Sequence, residues 1–244
     1  MAERARARTV SAASFLATVE EILFPGRCLL CGAWLALPRE DAAPVCAPCR
    51  EGLEWIRGPR CRTCGIELVS ERDVCMRCRT AGYAFLGSIS LFAYTGNARR
   101  LLAALKFEGR RRLAPWFADL VVSAMRGEGW GACLTPVPSR PHRGRPDAVQ
   151  AVASAIEKRH ALSLRRLLCR SGGAQQKTLD YEQRRANLAG RIHLRPGVTP
   201  DKVPSEVVLL DDVFTTGATL DACARALLRA GCRSVRAVTL VMEE

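Results

Sequence analysis

The stretch "VVLLDDVFTTGATL", residues 207–220, runs four aliphatic residues into two adjacent acids, then into hydroxyls around a glycine, and then into the start of a helical pattern. A short continuous apolar run of this kind fits a strand buried on both faces. The acids then emerge at its carboxyl end, where an α/β protein places its ligands. Gly217 allows close backbone approach in the turn that follows. The amides opening the next helix, with the hydroxyls of Thr215, Thr216 and Thr219, form a cup for a phosphate. Two carboxylates would repel that phosphate, so they suit what is attached to it: sugar hydroxyls, with a divalent metal nearby. The plainer alternative is a pair of solvated acids followed by an ordinary capped turn. It leaves the order of residue types unexplained.

Outward from this stretch the pattern alternates. Strands are expected near 88–94, over "ACLTPVP" (132–138), near 164–169, over "EVVLLDD" (206–212) and over "SVRAVTLVM" (234–242). Helices are expected over 97–107, 111–126, 147–158, 181–188 and 217–230. This alternation implies a parallel sheet flanked by helices. At the other end of the chain, Phe15, Leu16, Val19, Ile22 and Leu23 recur at helical spacing, so an amphipathic helix is expected over 1–26, ending near Pro25. Glu3, Glu20 and Glu21 interrupt any signal or transit pattern, and no apolar run has the length of a membrane span. A cytoplasmic protein without membrane insertion is expected.

Between these regions stand four Cys-x-x-Cys pairs: Cys28 and Cys31, Cys46 and Cys49, Cys61 and Cys64, Cys75 and Cys78. Two residues between thiolates let a tight knuckle present both sulfurs to one tetrahedral ion, and two such pairs complete a four-sulfur zinc site. The first and third pairs are followed by glycine ("CLLCG", "CRTCG") and the second and fourth are not, which reads as a knuckle plus a closing pair, repeated. The first two pairs are therefore assigned to one zinc and the last two to another, with an interleaved arrangement as the alternative. A disulfide framework or a redox pair fits less well than two structural zincs, because so short a segment has few large aliphatics to bury without metal. Fully thiolate-ligated ions leave no open position for catalysis. Cys133, Cys169, Cys223 and Cys232 stand singly and are expected to be small core residues.

The chain has 244 residues and a formal charge of +13. Residues 1–80 carry 12 Arg and Lys against 10 Asp and Glu, and residues 81–244 carry 25 against 14. Eight thiolates and two zinc ions turn the first segment slightly negative, so any polyanion would meet the second. Aromatic residues make up 6% of the chain, few for a dedicated platform that stacks single-stranded bases.

Taken together, the hydrophobic strand, paired acids and "TTGAT" resemble the phosphoribosyl-diphosphate signature of type I phosphoribosyltransferases. With the double cysteine ribbon ahead of it, nearly the whole chain resembles the ComF family. "FPGRCLLCG", "LLAALKFEG", "TPVPSRPHR" and "QQKTLDYEQRRANLAG" match as well. The resemblance implies a double zinc ribbon over 27–80 and a type I phosphoribosyltransferase-like domain over 81–244. It implies that Asp211 and Asp212 hold the ribose hydroxyls of phosphoribosyl diphosphate, and that Thr215, Thr216, Gly217, Ala218 and Thr219 hold its 5-phosphate, with magnesium as cofactor. Arg140, in "PVPSR", would contact diphosphate oxygens, and Lys177 and Arg184, with Gln176 and Asn187, would sit in a mobile catalytic loop over 171–187. Lys106 is a weaker candidate for a phosphate or partner contact, since a lysine at a helix end is more often solvated. Arg110 to Arg112 suit a solvated face or a phosphate-attracting patch, and His142, His160 and His193 have no spacing that suggests a metal site. Where many relatives read Arg-Gly-Phe-Asn-Gln, this chain has "RGRPDAVQ" (143–150), so the acceptor is not legible there. The resemblance also implies a second reading, a non-catalytic competence factor that binds single-stranded DNA, or competence-machinery proteins, through its basic surface.

Overall fold

The computed structural model describes residues 26–35, 43–131, 133–139, 147–171 and 190–243. The helices expected over 1–26 and 181–188, and Arg140, His142, Gln176, Lys177, Arg184 and Asn187, lie outside the described residues. The chain divides into two compact units, Met1–Glu51 and Gly52–Glu244.

In the first unit the Cys28 amide donates to the Ala33 carbonyl at 2.8 Å and the Gly32 amide to the Cys28 carbonyl at 2.9 Å. This closes a knuckle that places Gly32 at φ 74°. The strands entering and leaving it bridge at Arg27 and Trp34, with the guanidinium 4.0 Å from the ring centroid. A short helix, α1 (Ala47–Glu51), follows Cys46.

The second unit opens on the same knuckle. Cys61 donates to Ile66 at 2.8 Å, Gly65 donates to Cys61 at 2.9 Å with φ 78°, and Arg60 bridges Glu67. The closing pair again starts a short helix, α2 (Met76–Ala81), which ends on Gly82 in the left-handed region. The repeat seen in the sequence is thus a repeat of backbone hydrogen bonds. The compact units part between residues 51 and 52. The physical reason is that the second set of cysteines shares a core with the sheet domain.

That domain begins with β1 (Gly87–Ala93) and continues through α3 (Gly96–Phe107), α4 (Leu113–Gly127), β2 (Cys133–Pro136) and α5 (Ala148–Arg159). After β3 (Leu168–Arg170), β4 (Ile192–Leu194) and a single 3-10 turn come β5 (Glu206–Phe214), α6 (Ala218–Arg229) and β6 (Ser234–Met242). The main sheet is parallel throughout, in the order β1-β6-β5-β2. Val207 to Leu210 are at most 1% exposed, as a strand covered on both faces requires. Every residue of β1 is buried too, although its Ser/apolar alternation resembles a half-exposed strand. The Ser90 hydroxyl meets that of Thr239 on β6 at 2.6 Å, so it is satisfied by a partner strand instead of water.

Two expectations need correction. The segment at 164–169 does not add a full strand to the parallel sheet. Leu164 alone bridges Leu134, and 168–170 turns away to pair antiparallel with 192–194. "RIHL" is too short and too polar for its pattern to announce β4. The strand expected over 206–212 also runs two residues further, to Phe214, with Asp211 still pairing with Thr239 of β6. Among the described residues, no helix is long and apolar enough to cross a membrane.

Candidate active site

Because β5 is central and parallel, its carboxyl end opens between the ends of β2 and β6, and a cavity of about 800 Å³ lies there. Asp211, Asp212, Thr215 and Thr219 line it, together with Lys106 from α3 and Arg170 from β3. Asp147 and Glu243 add two more carboxylates. Four acids face two cations among the described lining residues.

Lys106 is the clearest departure from expectation. It is not a solvated helix end: its Nζ lies 2.8 Å from Asp212 Oδ2, with both side chains about three-quarters buried. Asp211 is held by a backbone contact instead. Its Oδ1 accepts from the Asp212 amide at 2.9 Å. Burial, with the neighbouring charge of Asp212 adding, pushes Asp211 up to about 8 against the pull of that amide and of Lys106. The two adjacent acids thus stand in different surroundings, Asp212 paired with Lys106 and Asp211 held toward its neutral form by burial.

The turn after β5 divides its side chains. Thr215 and Thr219 reach the cavity. Thr216 faces its own backbone, its hydroxyl accepting from the Ala218 amide at 3.4 Å. Gly217 takes φ 72°, and a Cβ there would lie 2.9 Å from Phe214 Cζ and 3.0 Å from Tyr83 Cε1. The glycine is demanded from the protein side of the turn as well as by any ligand. Ala218 starts α6 with its side chain buried.

Several residues that hold this turn have no signal in the sequence. The Tyr83 hydroxyl donates to the Thr216 carbonyl at 2.8 Å, and Arg77 Nη1 donates to the Thr215 carbonyl at 3.3 Å. Asp221, 1% exposed on α6, accepts from the Ala84 amide at 2.7 Å and from Arg225 Nε at 3.0 Å. Asp147 caps α5 through the Gln150 amide at 3.0 Å and accepts from Ser139. His160 pairs with Asp119 at 2.8 Å, His193 lies 3.3 Å from the Ser171 hydroxyl, and Arg110 to Arg112 are exposed. Cys133, Cys223 and Cys232 are buried, and Cys169 is half-buried.

The eight ribbon cysteines gather as Cys28, Cys31, Cys46 and Cys49 in one cluster and Cys61, Cys64, Cys75 and Cys78 in the other. Their ligand atoms lie within 4.8 Å of one another, which selects the sequential pairing over the interleaved one. Sulfurs 3.6 Å apart (Cys31 and Cys46) and 3.7 Å apart (Cys64 and Cys75) are too distant for disulfides, whose S–S bond is about 2.0 Å. They match the roughly 3.8 Å edge of a tetrahedron with zinc–sulfur bonds of about 2.3 Å. Burial alone would raise the Cys61 thiol, yet the amides of Cys64, Cys75 and Thr63 bring it down to about 7. Cys78 is pushed well up by burial and by the charge of Cys64. Four such thiols cannot all ionise without a dication among them, so two clusters fit two zinc ions.

The sequence profile of the double zinc ribbon domain matches residues 19–79, and that of the phosphoribosyl transferase domain matches residues 171–243. Competence protein ComFC of Streptococcus pneumoniae (strain ATCC BAA-255 / R6) is 25% identical over 225 residues, covering 88% of this chain and 99% of that protein. Among solved structures, a hypoxanthine phosphoribosyltransferase from Staphylococcus aureus aligns at 14% identity with a TM-score of 0.33. That match covers 54% of this chain and 64% of the other.

Proposed function

As a member of the ComF family, with a double zinc ribbon ahead of a phosphoribosyl transferase domain, the protein, we propose, binds phosphoribosyl diphosphate with magnesium and transfers the phosphoribosyl group to an acceptor. The observation that carries this reading is the meeting of Asp211, Asp212, Thr215, Thr219 and Lys106 in one cavity at the carboxyl end of β5. The 5-phosphate sits on the turn at 215–219, and Asp211 and Asp212 orient the ribose hydroxyls. The acceptor's lone pair forms a bond to the anomeric carbon while the bond to the diphosphate oxygen breaks, its electron pair leaving on diphosphate. The transition state has oxocarbenium character, so it needs charge neutralised on the leaving group more than it needs a strong base. Magnesium supplies that neutralisation when bound. Arg170 lies on the cavity wall to assist it, and by resemblance Arg140 is assigned to the diphosphate and Lys177 and Arg184 to the catalytic loop. The Lys106–Asp212 pair must loosen as the ribose arrives.

The test is calorimetric titration with phosphoribosyl diphosphate, with and without magnesium, followed by diphosphate release in the presence of candidate acceptors. Magnesium-dependent binding that is lost in Asp212→Asn is expected. Equal turnover by the wild type and this variant would place the chemistry elsewhere.

A second reading draws on the excess of basic over acidic residues in 81–244, 25 against 14. It makes the protein a cytoplasmic competence factor that holds single-stranded DNA by phosphate contacts. Such binding weakens steeply with salt, and absence of binding at low ionic strength removes the reading.

A further inference from the structure

The second cysteine cluster is built into the back of the turn just described. All four of its thiols are buried. They share a core with Phe214 at the end of β5 and with Leu220, Cys223 and Leu227 of α6. Arg77 lies between the ligands Cys75 and Cys78, so its backbone is fixed by whatever fixes those sulfurs. Its guanidinium lies 5.8 Å from the Phe214 ring centroid and donates to the Thr215 carbonyl at 3.3 Å. Past the end of α2, Tyr83 donates to the next carbonyl, that of Thr216, at 2.8 Å. Its ring also closes the space beside Gly217. Asp221 then ties the segment down from α6 by accepting the Ala84 amide, while Arg225 joins Asp221 to the Gly82 carbonyl at 3.1 Å.

Two consecutive carbonyls of the turn are therefore held toward the ribbon. In a trans peptide the carbonyl and the following N–H point opposite ways. Holding Thr215 and Thr216 by their oxygens turns the amides of Thr216 and Gly217 away from the ribbon, the orientation that a phosphate-cradling turn needs. Both donors stand on or just after the short helix that carries Cys78, and a six-residue helix does not persist without tertiary support.

We propose that zinc in the Cys61–Cys64–Cys75–Cys78 cluster braces the phosphate turn, and that Arg77 and Tyr83 are the positioning residues that carry metal occupancy to ligand affinity. This rests on the reading of the turn at 215–219 as the phosphate site.

The test uses full-length Tyr83→Phe and Arg77→Met, which leave all eight cysteines in place. Zinc content, thermal midpoint, hydrogen exchange of the amides at 215–219 and calorimetric affinity for phosphoribosyl diphosphate with magnesium are measured. Both variants should hold two zinc ions and melt close to wild type. Their turn amides should exchange about five times faster, and affinity should fall between about twofold and tenfold, the range for one lost hydrogen bond. Removing zinc stepwise from wild type should raise exchange at 215–219 as the second cluster empties. Unchanged exchange in both variants, or exchange indifferent to zinc, overturns the brace. If wild type binds no phosphoribosyl diphosphate, the reading of the site fails by itself, and the exchange comparison, which needs no ligand, still decides the brace.

Discussion

Replacing Gly217 by alanine adds one methyl group at the point where the strand, the turn and the ribbon meet. With φ at 72°, an L-residue costs about 1 kcal/mol more than glycine. The new Cβ would lie 2.9 Å from Phe214 Cζ and 3.0 Å from Tyr83 Cε1, so both rings must retreat by several tenths of an ångström. Neither can do so freely. Phe214 is 1% exposed and sits edge-on to Phe85, with ring centroids 6.3 Å apart. Tyr83 stacks on Phe85 at 4.8 Å and is tied to Thr216 through its hydroxyl. Overpacking of this kind costs about 1–3 kcal/mol, and with the backbone strain the total is about 2–4 kcal/mol. For a unit of this size that is a fall in Tm of roughly 5–15 °C. Differential scanning calorimetry of Gly217→Ala measures the fall, and titration with phosphoribosyl diphosphate measures the displacement of the turn, with affinity expected to drop at least about tenfold. A variant that melts within a degree or two of wild type and binds equally well would refute the argument. It would mean that the rings are soft and that the turn does not depend on them.

The raised pKa of Asp211 has a definite sign. A carboxyl that ionises near 4 in the unfolded chain but about 8 in the folded one binds more protons when folded between those values, so stability should fall as pH rises from about 4 to about 8. Asp211→Asn should flatten that slope in urea titrations at several pH values, and metal-dependent ligand binding by wild type should strengthen as pH rises through about 8. Lys106→Met removes the cation beside Asp212 and one of the charges that hold Asp211 down. Asp211 should therefore titrate higher still by carboxylate NMR, at a stability cost of about 1 kcal/mol for this partly exposed pair. Cys64→Ser should lower zinc content from two ions to one and destabilise the unit at 52–244 by several kcal/mol, because structural zinc contributes folding free energy directly. Cys31→Ser, at an exposed ligand of the other cluster, should also lose one zinc but leave the melting of that unit within about 1 kcal/mol of wild type.

What the sequence disclosed and what it hid follow one physical division. Periodicity over long elements is set by burial, so the strands at 88–94 and 234–242 and the helices at 97–107 and 217–230 are legible to within a residue or two. The two metal clusters are legible because a tetrahedral ion dictates ligand type and spacing. The two acids and the threonine-glycine turn are legible because the backbone joins them. Tyr83, Arg77 and Asp221 are hidden for the opposite reason: each makes its contact across more than 100 residues of chain, through one side chain with no local pattern to mark it. Asp221 is the instructive case. At i,i+4 from Arg225 on an amphipathic helix it looks like half of a surface ion pair. Yet it is 1% exposed, and its second oxygen takes the amide of Ala84. A buried carboxylate is retained only where its partners are fixed, and these partners belong to the segment leaving the second ribbon. Its burial therefore marks that segment as part of the same core as α6.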